Sequence, residues 1–367
     1  MKFKKSMIAL GILLVSVFAG TIPTFASEFS FAVTPVIPEN QIDKTKTYFD
    51  LKMAPDQKEQ VNVELRNDTD RNVKVDVTVN SATTNSNVIV EYGKNKIAPD
   101  KSLKYNLKDY VKAPNQVTIN AHSTLQVPFD LTMPKEQFDG LMAGGITFKE
   151  AKDEKTTENT SEQKGLAIEN EYSYVVALLM RQNTTKVTPQ MALNTVKPSQ
   201  LNARNVIVSN LQNSKATYIN QVAIDAEITK KGDSTVLYSE HHDGLQIAPN
   251  SQFDFPVHLN GKPLEAGKYH IKLVVNGDKN AEGQYIRGKD KDNQAEHYTN
   301  QWVFDKDFTI DGQVARKLND KDVTIKKDYT WLYILIGILL LLLVLFIIWL
   351  IWRKKKKDEE DKENKAE

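Results

Sequence analysis

Six histidines are the residues of this 367-residue chain best suited to acid–base or metal chemistry: His122, His241, His242, His258, His270 and His297. None stands in an HExxH arrangement, which would put two imidazoles and a general base on one helix face. His241-His242, followed by Asp243 and Gly244, could in principle hold a cation, but adjacent residues of a strand point to opposite faces. Asp290-Lys291-Asp292-Asn293 with Glu296 looks like a calcium loop only in part, because the glycine and the twelfth-position glutamate are missing. There is no GxSxG, no glycine-rich phosphate loop and no cysteine, and no carboxylate pair stands out from the surface charges. The chain therefore reads as a non-enzyme that requires no cofactor and no metal. Aromatic rings offer a different chemistry, stacking on sugars. Tyr92, Tyr105 and Tyr110 fall outside the apolar alternation and are the candidate ligand-binding residues.

The elements that must carry these residues are short strands. Val61, Val63 and Leu65 alternate, then Val73, Val75, Val77 and Val79, with the turn cluster from Asn67 to Asn72 between them. This spacing predicts an antiparallel hairpin with one face buried. Val88-Ile89-Val90 is a short third run, and Val117, Ile119, Leu125, Val127, Phe129 and Leu131 continue the period of two. Tyr172 to Met180 is a continuous apolar run, as expected of a strand covered on both faces. Between them Glu150 to Lys164 is too polar to bury and reads as a long exposed hairpin loop.

The apolar pattern lapses from Asn183 to Pro189, the best junction between domains. A second series follows: Val206 to Val208, then Val222, Ile224, Ala226 and Ile228, then Phe253, Phe255, Val257 and Leu259. Tyr269, Ile271 and Leu273, and finally Trp302 to Ile310, complete it. The prediction is an all-β chain: two immunoglobulin-like β-sandwich domains in tandem, over 27–183 and 187–315, with a polar stalk at 316–330.

The ends fix the address. Lys2, Lys4 and Lys5 precede an apolar run from Met7 to Gly20 and the small-residue stretch to Ala26, the pattern of a secretory signal peptide over 1–26 cleaved between Ala26 and Ser27. Trp331 to Trp352 carries no charge, and its 22 residues reach about 33 Å as a helix, enough for a bilayer core. Trp331, Tyr333, Trp349 and Trp352 stand where interfacial aromatic belts form. Arg353 begins a basic run that places the tail, 353–367, in the cytoplasm. The expected product is a single-pass membrane protein with its sandwiches outside, facing the cell wall. Removing the charges of both ends leaves 38 basic and 41 acidic residues. That balance excludes a basic footprint for nucleic acid. Zero cysteines leaves the exported domains to hydrophobic cores alone.

Several segments resemble a known family. Phe29-Ser30-Phe31, Val36-Ile37-Pro38-Glu39-Asn40-Gln41, Tyr48-Phe49-Asp50-Leu51, Leu65-Arg66-Asn67 and Ala143-Gly144-Gly145-Ile146 resemble the first domain of the WxL-interacting proteins of Gram-positive bacteria. Asn205-Val206-Ile207, Leu211-Gln212-Asn213, Gln246-Ile247-Ala248-Pro249-Asn250-Ser251 and Pro263-Leu264-Glu265-Ala266-Gly267-Lys268-Tyr269 resemble the second. The resemblance implies a first domain that binds peptidoglycan and a second that binds host extracellular-matrix proteins, in a protein that also associates with WxL-domain surface proteins. It assigns no binding residue. The alternative function is that of an export chaperone or sensor, which takes clients by adding a strand to a sandwich edge.

Overall fold

The computed structural model describes residues 30–151, 172–326 and 329–363, with side chains described as far as Lys354. The expected cleavage at Ala26 and Ser27, and most of the polar loop from Glu150 to Lys164, lie outside these residues. Two β-sandwiches stand in tandem before one long apolar helix.

The first sandwich opens with β1 (Ala32–Val36), β2 (Phe49–Lys52), β3 (Lys58–Asn67) and β4 (Val73–Ser81). A small hairpin, β5 (Thr83–Thr84) and β6 (Val90–Glu91), then leaves the sheets. β7 (Val111–Lys112), β8 (Gln116–Ile119), β9 (Ser123–Thr132), β10 (Met142–Glu150) and β11 (Ser173–Arg181) complete them. One sheet has the order β1-β3-β9-β7 and the other β2-β11-β10-β4-β8. Alternation sets which residues meet: Val61, Val63 and Leu65 of β3 lie opposite Phe129, Val127 and Leu125 of β9, while Val73, Val75 and Val77 of β4 face them from the second sheet. Phe129 and Phe148 close the middle edge to face at 6.0 Å.

The predicted hairpin of β3 with β4 does not form. The two strands belong to opposite sheets, and the polar segment between them turns a corner. Buried Asn67 holds that corner, donating through Nδ2 to the carbonyls of Arg71, Ile119 and Asn120 at 2.7, 3.2 and 3.0 Å. Period-two alternation reports which face of a strand is buried, and both strands of a sandwich corner bury the same kind of face.

The second sandwich comprises β12 (Met191–Leu201), β13 (Arg204–Asn213), β14 (Ile219–Lys230), β15 (Val236–Ile247), β16 (Ser251–His258), β17 (Gly267–Lys279), β18 (Tyr285–Lys289) and β19 (Ala295–Ile310). Its sheets run β12-β13-β16 and β15-β14-β17-β19-β18. Ile207, Leu211, Phe253 and Phe255 from the first of these meet Ile224, Ile228, Ile271 and Leu273 from the other. β12 and β15 had no signature in the alternation because both are edge strands with mostly open faces, and β12 carries an irregularity between Leu193 and Thr195.

The segment predicted as a stalk is partly a docked element instead. α1 (Gly312–Asn319) is capped by Asp311, whose carboxylate accepts from the N–H groups of Gln313 and Val314 at 2.7 and 3.2 Å. Ala315 is buried in the second core, Asn319 brackets both backbone groups of Leu264, and Asp322 accepts from the Asn205 N–H at 2.7 Å. The composition there is polar because it sits on a sandwich face, with two or three residues spent on the contact. α2 (Thr330–Glu363) follows, and its stretch Thr330–Lys354 is long and apolar enough to cross a membrane.

Candidate functional site

The hairpin β5–β6 belongs by chain order to the first sandwich and by packing to the second. At its tip Val88 is 1% exposed among the core side chains of the second sandwich, so the expected third strand of the first sandwich is a plug. Asn85 builds the tip: its Oδ1 accepts from the N–H groups of Asn87 and Ile89 at 2.9 and 3.1 Å, and its carbonyl accepts from Val88 N–H at 2.9 Å. The turn leaves Val88 at φ 57°, a left-handed conformation that a β-branched residue rarely adopts. Burial of the isopropyl group offsets that strain.

Polar bonds flank the plug. Thr84 Oγ1 meets Ser251 Oγ at 2.8 Å and accepts from the Ala248 N–H at 3.0 Å, while Gln246 N–H donates to the Val88 carbonyl at 3.2 Å. Gln212 Nε2 donates to both oxygens of buried Asp100 at 2.8 and 2.9 Å. Asn250, itself at φ 47°, donates to the carbonyl and hydroxyl of Ser102 and to the Ser214 carbonyl. Leu141 N–H donates to the Ala216 carbonyl at 2.9 Å, and Gly140 permits that approach: at φ 88° a Cβ would stand 2.2 Å from the same oxygen. Under the seam lies a small apolar cluster of Ala82, Ala143, Leu179 and Ala248. It covers the outer face of β11 at Leu179 only; Tyr172 and Val175 are exposed, so the cover on both faces expected from the apolar run holds at the end of the strand and not along it.

Tyr92 lies in this seam. Its hydroxyl meets that of Tyr218 at 3.1 Å, and burial raises both phenols above their ordinary value, Tyr218 further than Tyr92. Gly145 is required beneath it, because a Cβ there would meet the Tyr92 Cβ at 2.7 Å. Tyr105 and Tyr110 pack edge to face at 5.8 Å against the first core, and Phe138 lies 5.1 Å from Tyr105. The Tyr105 hydroxyl donates to Glu136 at 3.1 Å.

Beside the seam the two sandwiches enclose a groove of about 560 Å³. Leu103, Tyr105, Phe138 and Leu141 supply the first-sandwich wall, Val187 the connecting segment, and Pro249 the second-sandwich wall. Its charged lining is Lys104, Asp139, Lys186 and Lys215. Lys104 Nζ is 2.6 Å from Glu136, whose carboxyl is held below its usual range by that hydrogen bond and by the Tyr105 hydroxyl. Asp139 accepts from Asn183 Nδ2 at 2.9 Å. Lys186 and Lys215 have no ion pair among the described residues. The groove thus mixes apolar side chains with the polar Ser102, Thr188, Ser214 and Asn250, and carries from outside the first sandwich two lysines with no ion pair among the described residues. Of its second-sandwich residues, Lys215 had no sequence signal, and Pro249 and Asn250 were legible only within the segment that carries the family resemblance.

The histidines go elsewhere. His241 Nδ1 is 3.0 Å from Asp225 on the outer face of the second sandwich, while the ring of His242 packs on Phe255 of the other sheet. Glu240 bridges His242 Nε2 at 2.9 Å and His258 Nδ1 at 2.8 Å. Along α2 Trp349 stacks on Phe346, and the Arg353 guanidinium lies 5.3 Å from the Trp349 ring. Trp331, Tyr333 and Trp352 stand exposed on the same helix.

Compared with protein families, residues 31–150 match the model described as WxL Interacting Protein, peptidoglycan binding domain, and residues 163–320 match WxL Interacting Protein, host binding domain. The family boundary falls before β11, whereas in space β11 pairs with β10 and β2 and completes the first sandwich. No curated protein matches in sequence. Among solved structures, the Class 5 fimbriae chaperone CfaA is 12% identical with a TM-score of 0.28, over 75% of this chain and 98% of that one. The YadV chaperone is 12% identical with a TM-score of 0.26, over 77% and 100%. The PapD-like domain 7 of human CEP192 is 10% identical with a TM-score of 0.26, over 46% and 96%. Likeness at this level carries nothing about ligand or partner.

Proposed function

The chain belongs to the WxL-interacting protein family, and from that premise we propose that it is a non-catalytic, membrane-anchored surface protein joining the cell wall to protein partners. The first sandwich holds peptidoglycan, and the second presents its surface to host matrix proteins or to WxL-domain proteins. α2 spans the membrane, with Trp331 and Tyr333 at the outer interface, Trp349 and Trp352 at the inner one, and Arg353 leading the tail into the cytoplasm. The observation that carries the reading is the succession of the two matched domains along one chain of two sandwiches, with an apolar helix after them. A docked α1 leaves few residues between the second sandwich and α2, which supports placing that sandwich close to the bilayer.

Purified full chain in detergent is expected to pellet with insoluble peptidoglycan and to bind immobilised fibronectin, collagen or a WxL-domain protein. Failure to pellet refutes the wall-binding half, and failure with every protein partner refutes the other. Protease added to intact cells after wall removal is expected to degrade both sandwiches and to spare a tag placed after Glu367.

A further inference from the structure

We propose that the groove between the sandwiches takes the peptide stem of peptidoglycan, a short acidic peptide, and not its sugar chain. The inference rests on the wall-binding reading and deepens it.

Three observations select a peptide over a glycan. A sugar ring needs an open aromatic face, and Tyr105, the aromatic residue best placed to offer one, has its ring engaged: Tyr110 and Phe138 pack against it and Lys104 Nζ sits 5.1 Å from its centroid. The walls of Leu103, Phe138, Leu141, Val187 and Pro249 suit small apolar side chains such as the alanines of a stem. The cations suit its carboxylates. With Lys104 held by Glu136, Lys186 and Lys215 outweigh Asp139, so the lining favours an anion. A volume of about 560 Å³ falls in the range, about 300 to 1,000 Å³, of clefts that enclose a small ligand.

Both free lysines lie outside residues 31–150, on the connecting segment and on the second sandwich. The matched peptidoglycan-binding region therefore supplies most of the apolar wall together with Lys104 and Asp139, and the segments beyond it supply Val187, Pro249 and the two lysines without an ion pair. Stem binding accordingly requires the sandwiches to be docked.

The test is calorimetry on the full chain in detergent with three probes: a disaccharide-tetrapeptide, the disaccharide without peptide, and the free tetrapeptide. The two peptide-bearing probes are expected to bind and the bare disaccharide not to. Lys186→Glu with Lys215→Glu is expected to weaken peptide binding at least about tenfold, since two attractions become repulsions at a half-open site. The milder pair Lys186→Ala with Lys215→Ala should fall between. Lys268→Glu with Lys272→Glu, on exposed positions of β17, should leave binding unchanged. Equal melting temperatures across the set exclude misfolding. Binding of the bare disaccharide as tight as that of the whole probe, or peptide binding indifferent to the groove reversal, overturns the inference. A wild-type chain that pellets with peptidoglycan but ignores all three probes overturns the groove and leaves the wall-binding reading intact. A chain that does neither removes both.

Discussion

Val88 tests the claim that one domain plugs the other. Its side chain is 1% exposed in the second core although the residue sits on a first-sandwich hairpin. Val88→Ala deletes two methyl groups at about 0.8 kcal/mol each, and the unfilled space brings the loss to about 2 kcal/mol. That is a factor of about 30 in the equilibrium for seating the hairpin. Val88→Asp goes further, since an isolated carboxylate in that core costs more than the docking returns. Urea unfolding of the full chain in detergent, followed by circular dichroism, is the assay. Wild type should unfold with the sandwiches coupled. Val88→Ala should lower the midpoint by about 0.7 M at a slope near 3 kcal/mol/M. Val88→Asp should split the curve into two transitions. An aspartate variant that keeps one transition at the wild-type midpoint would refute the plug, because a surface valine tolerates a charge and a core valine does not.

Gly140→Ala puts a Cβ 2.2 Å from the Ala216 carbonyl at φ 88°, so the Leu141–Ala216 hydrogen bond should open at a cost of about 2 kcal/mol. Hydrogen exchange at the Leu141 amide is expected to quicken about 30-fold while the cores stay protected. Glu240 is pushed up by burial and pulled down by the hydrogen bonds of His258 and His242, with a net fall below the ordinary 4.5. A depressed folded value stabilises above 4.5 and is lost as pH falls through the folded value. Glu240→Gln should therefore melt earlier than wild type at pH 6, with the gap closing in more acid solution. Gln41, 5% exposed, accepts from the Asp50 N–H at 2.8 Å and donates to the Tyr48 carbonyl at 2.9 Å. Gln41→Ala orphans both and should cost about 2 to 3 kcal/mol, read as a lower melting temperature.

What the sequence made legible follows from what periodicity measures. Inward faces were readable: Val61, Val63 and Leu65, or Val222, Ile224, Ala226 and Ile228, are buried in alternation where the pattern placed them. Partners were not, so β3 and β4 read as a hairpin and separated into two sheets. The short apolar run Val88-Ile89-Val90 gave neither element nor destination: Val88 at the turn enters the neighbouring core, Ile89 is exposed, and Val90 opens a two-residue strand on the seam cluster. The segments that carried the family resemblance do structural work at turns and junctions. Gln41 closes the β1–β2 loop, Asn67 a corner, Gly145 admits Tyr92, and Gln212 with Asn250 clamps the seam. A groove built between two domains has no such signature, because Leu103, Lys186 and Lys215 are far apart in the chain and ordinary in type.

The seam and the groove share their residues, so docking and ligand binding form one equilibrium. Ser102, Ala216 and Asn250 line the groove and carry bonds across the junction, while Lys186 lies in the segment that connects the sandwiches. A ligand touching both walls stabilises the docked state in proportion to its occupancy, and a weakened seam lowers apparent affinity by the fraction docked. The size of the effect discriminates between variants. With the Asp100–Gln212 pair and the Asn250 contacts still in place, Val88→Ala is expected to leave the sandwiches docked and tetrapeptide affinity near wild type. Val88→Asp should abolish it while peptide-independent melting of the second sandwich persists. Equal affinity in Val88→Asp would show that a single sandwich suffices for the stem, and would move the two lysines from the binding site to its margin.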